Sequence, residues 1–235
     1  MTKKIASDVR VYFGSYDLGT ATTSISIALE AKALDPTALT DTAERALAGM
    51  RGDAVTWAGL FDDATSADAA GSALIATGTA VLSVLVGTGT GNRAYVGTVY
   101  LLAAKPASNI GDLVKEELML KPDSNWGIGK VTQAKRWGTT TWTSSTIDDG
   151  AVSTAGGDMY LHMFTYSSGS TLTINLDHST DGTSWTVATS ATLTTIGSRK
   201  LSFAGTLNRY IRFGVSTLGT GAFGTVEIAQ VYVRN

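Results

Sequence analysis

Apolar and polar residues alternate from one end of this chain to the other, and the pattern leaves little room for helices. In Asp53–Phe61, DAVTWAGLF, the residues Val55, Trp57, Gly59 and Phe61 fall on one face and their neighbours on the other. A period of two sends successive side chains to opposite sides of a strand, so each such run reads as a half-buried sheet element. The same reading predicts strands over Val9–Phe13, Ser24–Glu30, Ala80–Val86, Tyr95–Ala103 and Leu113–Lys121 in the first half. In the second half it predicts Met159–Tyr166, Thr171–Asp177, Trp185–Ala188, Lys200–Ala204, Tyr210–Thr217 and Thr225–Val233. The separators are rich in Gly, Asp, Asn and Pro, which favour turns for distinct conformational reasons. Only Ala38–Ala48 and Ser66–Ile75 read as short helices. The expected fold class is all-β with one short helix.

Composition narrows what such a fold does. Charged residues make up 16% of the 235, below the ~25% usual for soluble domains. The polar surface then falls to Thr, Ser and Gly, which suits a β-rich assembly protein better than a cytosolic enzyme. A formal net charge of -2 provides no basic footprint for nucleic acid. Without cysteine there are no disulfides, thiolate nucleophiles or thiolate metal sites. The N-terminal MTKKIASDVRVYF lacks the apolar core of a signal peptide. The longest apolar run, Ala80–Val86, is far short of the ~18 residues that cross a bilayer, so no membrane partner is expected.

The length fits two units. From Gly138 to Gly157 the sequence GTTTWTSSTIDDGAVSTAGG is poor in branched aliphatics, and Lys200 is the only lysine after Arg136. This predicts a linker at Gly138–Ser144 dividing residues 1–140 from 141–235. Trp57 and Trp185 occupy alternating positions and read as core anchors. Trp126, Trp137 and Trp142 surround the boundary, where they either wedge the halves together or meet a neighbouring subunit. Asp181-Gly182 between two alternating runs predicts a type I′ hairpin turn, whose two central residues both need positive φ. His162 and His178 stand apart with no spaced ligand partner. Asp177 and Asp181 lack the alternating oxygens of a calcium loop. Asp148-Asp149-Gly150 reads as a turn. No catalytic residue, cofactor or metal is expected.

Thr37–Asp63, TALTDTAERALAGMRGDAVTWAGLFDD, resembles a segment of the major tail tube proteins of long-tailed, siphophage-type bacteriophages, a loop leading into a strand that ends GxFD. The order continues with Gly91–Tyr95 (GNRAY), a strand, a turn with Pro106, Gly111–Leu118 (GDLVKEEL) and Trp126–Gly129, so the resemblance spans roughly residues 5–136. It implies an N-terminal β-sandwich or barrel, hexameric rings stacked into a hollow tube, and a structural subunit of the virion rather than an enzyme. Implied partners are further copies of the chain, tape-measure and tail-terminator or tail-tip proteins, and phage DNA that passes without sequence-specific binding. The implied location is the virion tail, assembled in the cytoplasm of the host bacterium. Leu39, Asp41, Thr42, Glu44, Arg45 and Leu47, too polar for a core yet patterned, are the candidate ring-stacking contacts. Glu116, Glu117 and Glu30 are the candidate channel-facing carboxylates, with Asp62 and Asp63 behind them. Only one of the adjacent Glu116 and Glu117 can face a channel.

The second half carries a different likeness. Ser179–Trp185 (STDGTSW) followed by Arg209–Phe213 (RYIRF) is similar to discoidin-like and related jelly-roll modules. This implies an antiparallel β-sandwich, jelly-roll or immunoglobulin-like, on the tube exterior. The alternative functions it leaves open are a carbohydrate-binding or adhesion module and another virion decoration protein.

Overall fold

A computed structural model describes residues 8–34, 47–51, 53–60, 78–107, 113–123, 126–166, 171–218 and 226–234. Every regular element among them is a strand. In the first half these are β1 (Val9–Phe13), β2 (Tyr16–Asp17), β3 (Thr22–Ala28), β4 (Ala31–Leu34), β5 (Leu47–Arg51), β6 (Ala54–Leu60), β7 (Ala80–Val86), β8 (Arg93–Ala107), β9 (Lys115–Pro122) and β10 (Gly127–Gly138). The second half holds β11 (Trp142–Thr143), β12 (Ile147–Asp148), β13 (Gly157–Tyr166), β14 (Leu172–Ser179), β15 (Thr186–Leu193), β16 (Gly197–Phe203), β17 (Tyr210–Leu218) and β18 (Val226–Arg234). The fold class is all-β. The expected helix Ala38–Ala48 lies mostly outside the described residues, but its last two residues are corrected: Leu47 and Ala48 belong to β5, paired with Leu34 and Ala33 of β4. Ser66–Ile75 also lies outside the described residues.

Eleven strands form one sheet in the order β16-β13-β18-β10-β8-β7-β1-β2, with a branch running β8-β9-β6-β3. A second sheet has the order β11-β17-β14-β15, with β12 also on β17. The stretch expected to be a linker is ordered into these sheets. β10 runs to Gly138 against Val226 of β18, and Trp142-Thr143 pairs with Val215-Gly214 of β17. The two halves are therefore joined edge to edge through the β10–β18 ladder.

Three apolar cores follow. The first, in the N-terminal half, holds Val11, Phe13, Trp57, Leu82, Val84, Leu118, Leu120 and Trp126. Another, between β13/β18 and the second sheet, holds Met159, Leu161, Leu176, Phe213 and Tyr232. The third lies at the seam and draws on both halves, with Tyr12, Val81, Leu85, Val96, Val131, Tyr160 and Val231. β7 faces two cores, Leu82 and Val84 one way and Val81 and Leu85 the other. This explains why AVLSVLV is a continuous apolar run rather than an alternating one.

The seam also contains a fully buried polar pair. His162 of β13 and Ser83 of β7 share a hydrogen bond of 2.7 Å, and the other ring nitrogen of His162 lies 2.8 Å from the Gly14 carbonyl oxygen. The ring packs against Tyr12 and stacks on Phe164. Burial disfavours the charged imidazolium and pulls the His162 pKa down from 6.5 to about 4. The unfolded chain takes up this proton below about pH 6.5, and the folded chain takes it up only near pH 4. Stability from this group is complete above the first value and is lost as pH falls toward the second, by about 3 kcal/mol in all. His178, also lowered by burial, acts in the same direction. Melting curves at pH 7 and pH 4.5 should therefore show a steeper acid loss for the native chain than for His162→Gln. Equal losses would remove His162 as the source.

Candidate assembly surfaces

The branch β3-β6-β9-β8 forms a four-stranded layer over the N-terminal core. Val99 of β8 has Ala80 of β7 on one side and Pro122 of β9 on the other. Beyond Val99, β8 continues to Ala107 along β9, and among the described residues no strand occupies its other side. At the opposite end β3 pairs, among the described residues, only with β6. The layer thus has an open edge on each flank. Pro106 lies within β8, opposite Glu116, rather than in the turn expected from the sequence. A proline, with no N–H to donate, is tolerated on a strand with an unpaired side. Leu102, at a bulge in the same stretch, is 56% exposed.

One face of the layer is apolar and turned inward, carrying Ile25, Ile27, Val55, Trp57, Leu101, Leu118 and Leu120. Thr22 accepts a 2.8 Å hydrogen bond from the indole N–H of Trp57, tying β3 to β6. Gly59 is required here, because a Cβ would overlap the Trp57 ring and stand 2.6 Å from the Ala21 carbonyl oxygen. The other face carries Ser24, Ser26, Thr56, Ala58, Met119 and Glu117. Glu117 has Lys105 as its register partner, and Lys121 lies opposite Tyr100. The exposed Lys115 lies on this face too, so among the described residues it carries three lysines against Glu117 and is basic rather than acidic.

The candidate carboxylates separate accordingly. Glu116 is 2% exposed and shares the inward face with Leu118 and Leu120, so it is corrected from a channel-facing to a buried residue. Glu117 is half-buried on the outward face. Glu30 is exposed just past β3, and its backbone N–H donates to Asp53 at 3.2 Å. Leu39, Asp41, Thr42, Glu44 and Arg45 lie outside the described residues, as do Asp62 and Asp63. Leu47 begins β5.

The aromatic expectations divide as well. Trp57 and Trp126 are buried in the N-terminal core. Trp142 packs edge-on to Phe213 beneath the Arg136 guanidinium, while Trp137 is 59% exposed. Trp185 is corrected from a core anchor to a half-buried residue with Arg212 stacked 4.2 Å above its ring, and Arg212 is held in turn by Asp177 at 3.0 Å. The type I′ turn is also corrected. Gly182 has φ of 75°, but no residue other than glycine has positive φ among those described. Instead Asp181 accepts hydrogen bonds from the N–H groups of Thr183 and Ser184 and from the Ser179 hydroxyl. These bonds hold its carboxyl well below the usual range.

Sequence reading missed an ionic cluster at Asp148-Asp149. Arg209 grips Asp148 through two hydrogen bonds of 2.7 and 2.6 Å. Asp149 receives Lys130 and, at 2.7 Å, Arg234. Burial opposes ionisation of Asp149, but hydrogen bonds from Lys130 and Tyr232 outweigh it and keep the pKa low. The cluster braces β10 and β18 against the loop after β12. Among the described residues no group of three or more His, Asp or Glu is placed to hold a metal ion.

No family model matches the chain, and no curated protein sequence matches it. Solved structures show partial likeness. A chain from the virion of a native gene transfer agent particle superposes with a TM-score of 0.44 at 18% identity, over 54% of this chain and 98% of that one. A chain from the tail of an empty gene transfer agent particle, refined with C6 symmetry, gives 0.39 at 18%, over 45% and 80%. The SPP1 tail tube gives 0.44 at 13%, over 52% and 77%.

Gly59→Ala should destabilise the layer by about 2–3 kcal/mol, the usual cost of forcing atoms into a filled core. Chemical denaturation followed by tryptophan emission measures it, and an unchanged midpoint would contradict the packing described.

Proposed function

We propose that this chain is a major tail tube subunit whose copies close into rings, six to a ring as the sequence resemblance implies, and stack into a hollow tube for genome delivery. The observation that carries this reading is the four-stranded layer with two open flanks. Its strand pairs are all antiparallel, so β3 and β8, three steps apart, run in opposite directions. When β8 of one copy meets β3 of the next, the antiparallel alternation continues unbroken. An unpaired sheet edge is a template for another strand. Joining two different edges of identical copies is a heterologous contact, which closes into a ring when the rotation permits.

In this reading the outward face of the layer borders the channel, where Lys105, Lys115 and Lys121 outnumber Glu117 and Ser, Thr and Ala side chains space the charges apart. Residues 37–50 reach toward the next ring, and the second half, 141–235, sits on the exterior. Tape-measure and terminator or tip proteins would meet the tube within and at its ends. The chain would work in the virion tail after assembly in the host cytoplasm, without catalysis. Negative-stain microscopy and light scattering of purified protein, alone and with tail-assembly partners, should reveal rings or tubes. Leu102→Asp, on the β8 flank, should abolish them while shifting folding stability by no more than about 0.5 kcal/mol, the usual range at an exposed site. A native chain that stays monomeric at high concentration and with those partners would sink the reading.

A further inference from the structure

The seam between the halves opens on one side into a cleft of about 440 Å³, bounded by Tyr16, Asp17, Lys135, Phe164, Thr165 and Glu227. Register places the exposed Trp137 on its rim, since Trp137 and Thr165 both stand directly opposite Glu227, on β10 and β13 either side of β18. Trp137 belongs to none of the three apolar cores. A large indole left 59% exposed beside a cleft with converging polar groups is a usual mark of a binding site.

The charges in the cleft select the ligand. Lys135 lies 3.3 Å from Asp17 and 3.5 Å from Glu227, and also sits over the Phe164 ring at 5.1 Å. Two carboxylates against one lysine leave the cleft with a net charge of about −1, which turns away an anionic ligand. All three remain partly solvent-exposed, so each keeps donors or acceptors for hydroxyl groups. An aromatic platform next to partly exposed carboxylates and an ammonium group suits a neutral ring that is apolar on its face and hydroxylated at its rim. We propose that this cleft binds a neutral saccharide, with Trp137 stacking on a pyranose face and Asp17, Lys135 and Glu227 bonding its hydroxyls. This site is distinct from the Trp185 region, where Arg212 already covers one face of the indole. The inference does not depend on ring formation.

The test uses the full chain with maltohexaose, cellohexaose, chitohexaose and mannohexaose, and with polygalacturonate and chitosan hexamer as charged controls. Titration calorimetry and tryptophan emission should show saturable binding of at least one neutral oligosaccharide. Trp137→Ala and Glu227→Gln should each weaken it at least tenfold with melting temperatures unchanged, while Trp185→Ala leaves it intact. The proposal is overturned if no neutral probe binds at millimolar concentration, if a charged control binds more tightly, or if Trp137→Ala leaves affinity unaltered. It is equally overturned if sedimentation shows that Trp137→Ala acts by dispersing self-association rather than by releasing sugar.

Discussion

A strand at the end of a sheet leaves a row of backbone N–H and C=O groups that something must satisfy, and this molecule is organised around that obligation. Most of its strands meet it internally, because the long β8 lends one end to β7 and β10 and the other to β9. The C-terminal strand β18 fills the space between β10 and β13. Among the described residues open flanks remain at β3 and on the far side of β8, besides the sheet ends at β2, β15 and β16. The first two belong to the same layer, and that layer is amphipathic. An isolated subunit leaves the groups on these flanks to water.

The seam decides how rigidly that layer is held. With Val81, Leu85, Val96, Val131, Tyr160 and Val231 packed between strands from both halves, the second half cannot move as a tethered bead. The buried Ser83–His162 bond adds direction to this packing. Two polar groups in an apolar seam cost free energy unless they meet each other, so only one register of β13 against β7 satisfies them. The two halves consequently share a core and a strand ladder.

Much of this was legible in the residues. Strand-like patterning located twelve strands, and for β1 and β7 both ends matched, because each is a short run with a core on both faces that stops at polar turn residues. β10 escaped because GIGKVTQAKRWG does not alternate. Its ladder with β18 shifts register twice between Val131 and Arg136, and each bulge resets the phase. The pairing of β10 with β18 joins residues about a hundred positions apart, which no local pattern encodes. The aspartates of the ionic cluster looked like turn residues because their partners, Arg209 and Arg234, arrive from distant strands. The phase of Glu116 was available, since it shares parity with Leu118 and Leu120. The direction of that parity was clear only with those leucines seen inside. For the ring-stacking candidates, Leu47 alone lies within the described residues.

Burying Glu116 changes the electrostatic expectation for the open layer. Glu116, Glu117 and Glu30 were the carboxylates expected to face a channel. With Glu116 turned inward, the outward face of the layer keeps Glu117, matched by Lys105, and adds Lys115 and Lys121. A wall that binds phosphate strongly would arrest a polyanion through many summed contacts. Three lysines against one glutamate leave this face net positive, so in the proposed tube the Ser, Thr and Ala side chains between them, rather than repulsion, are what would limit its grip on a polyanion.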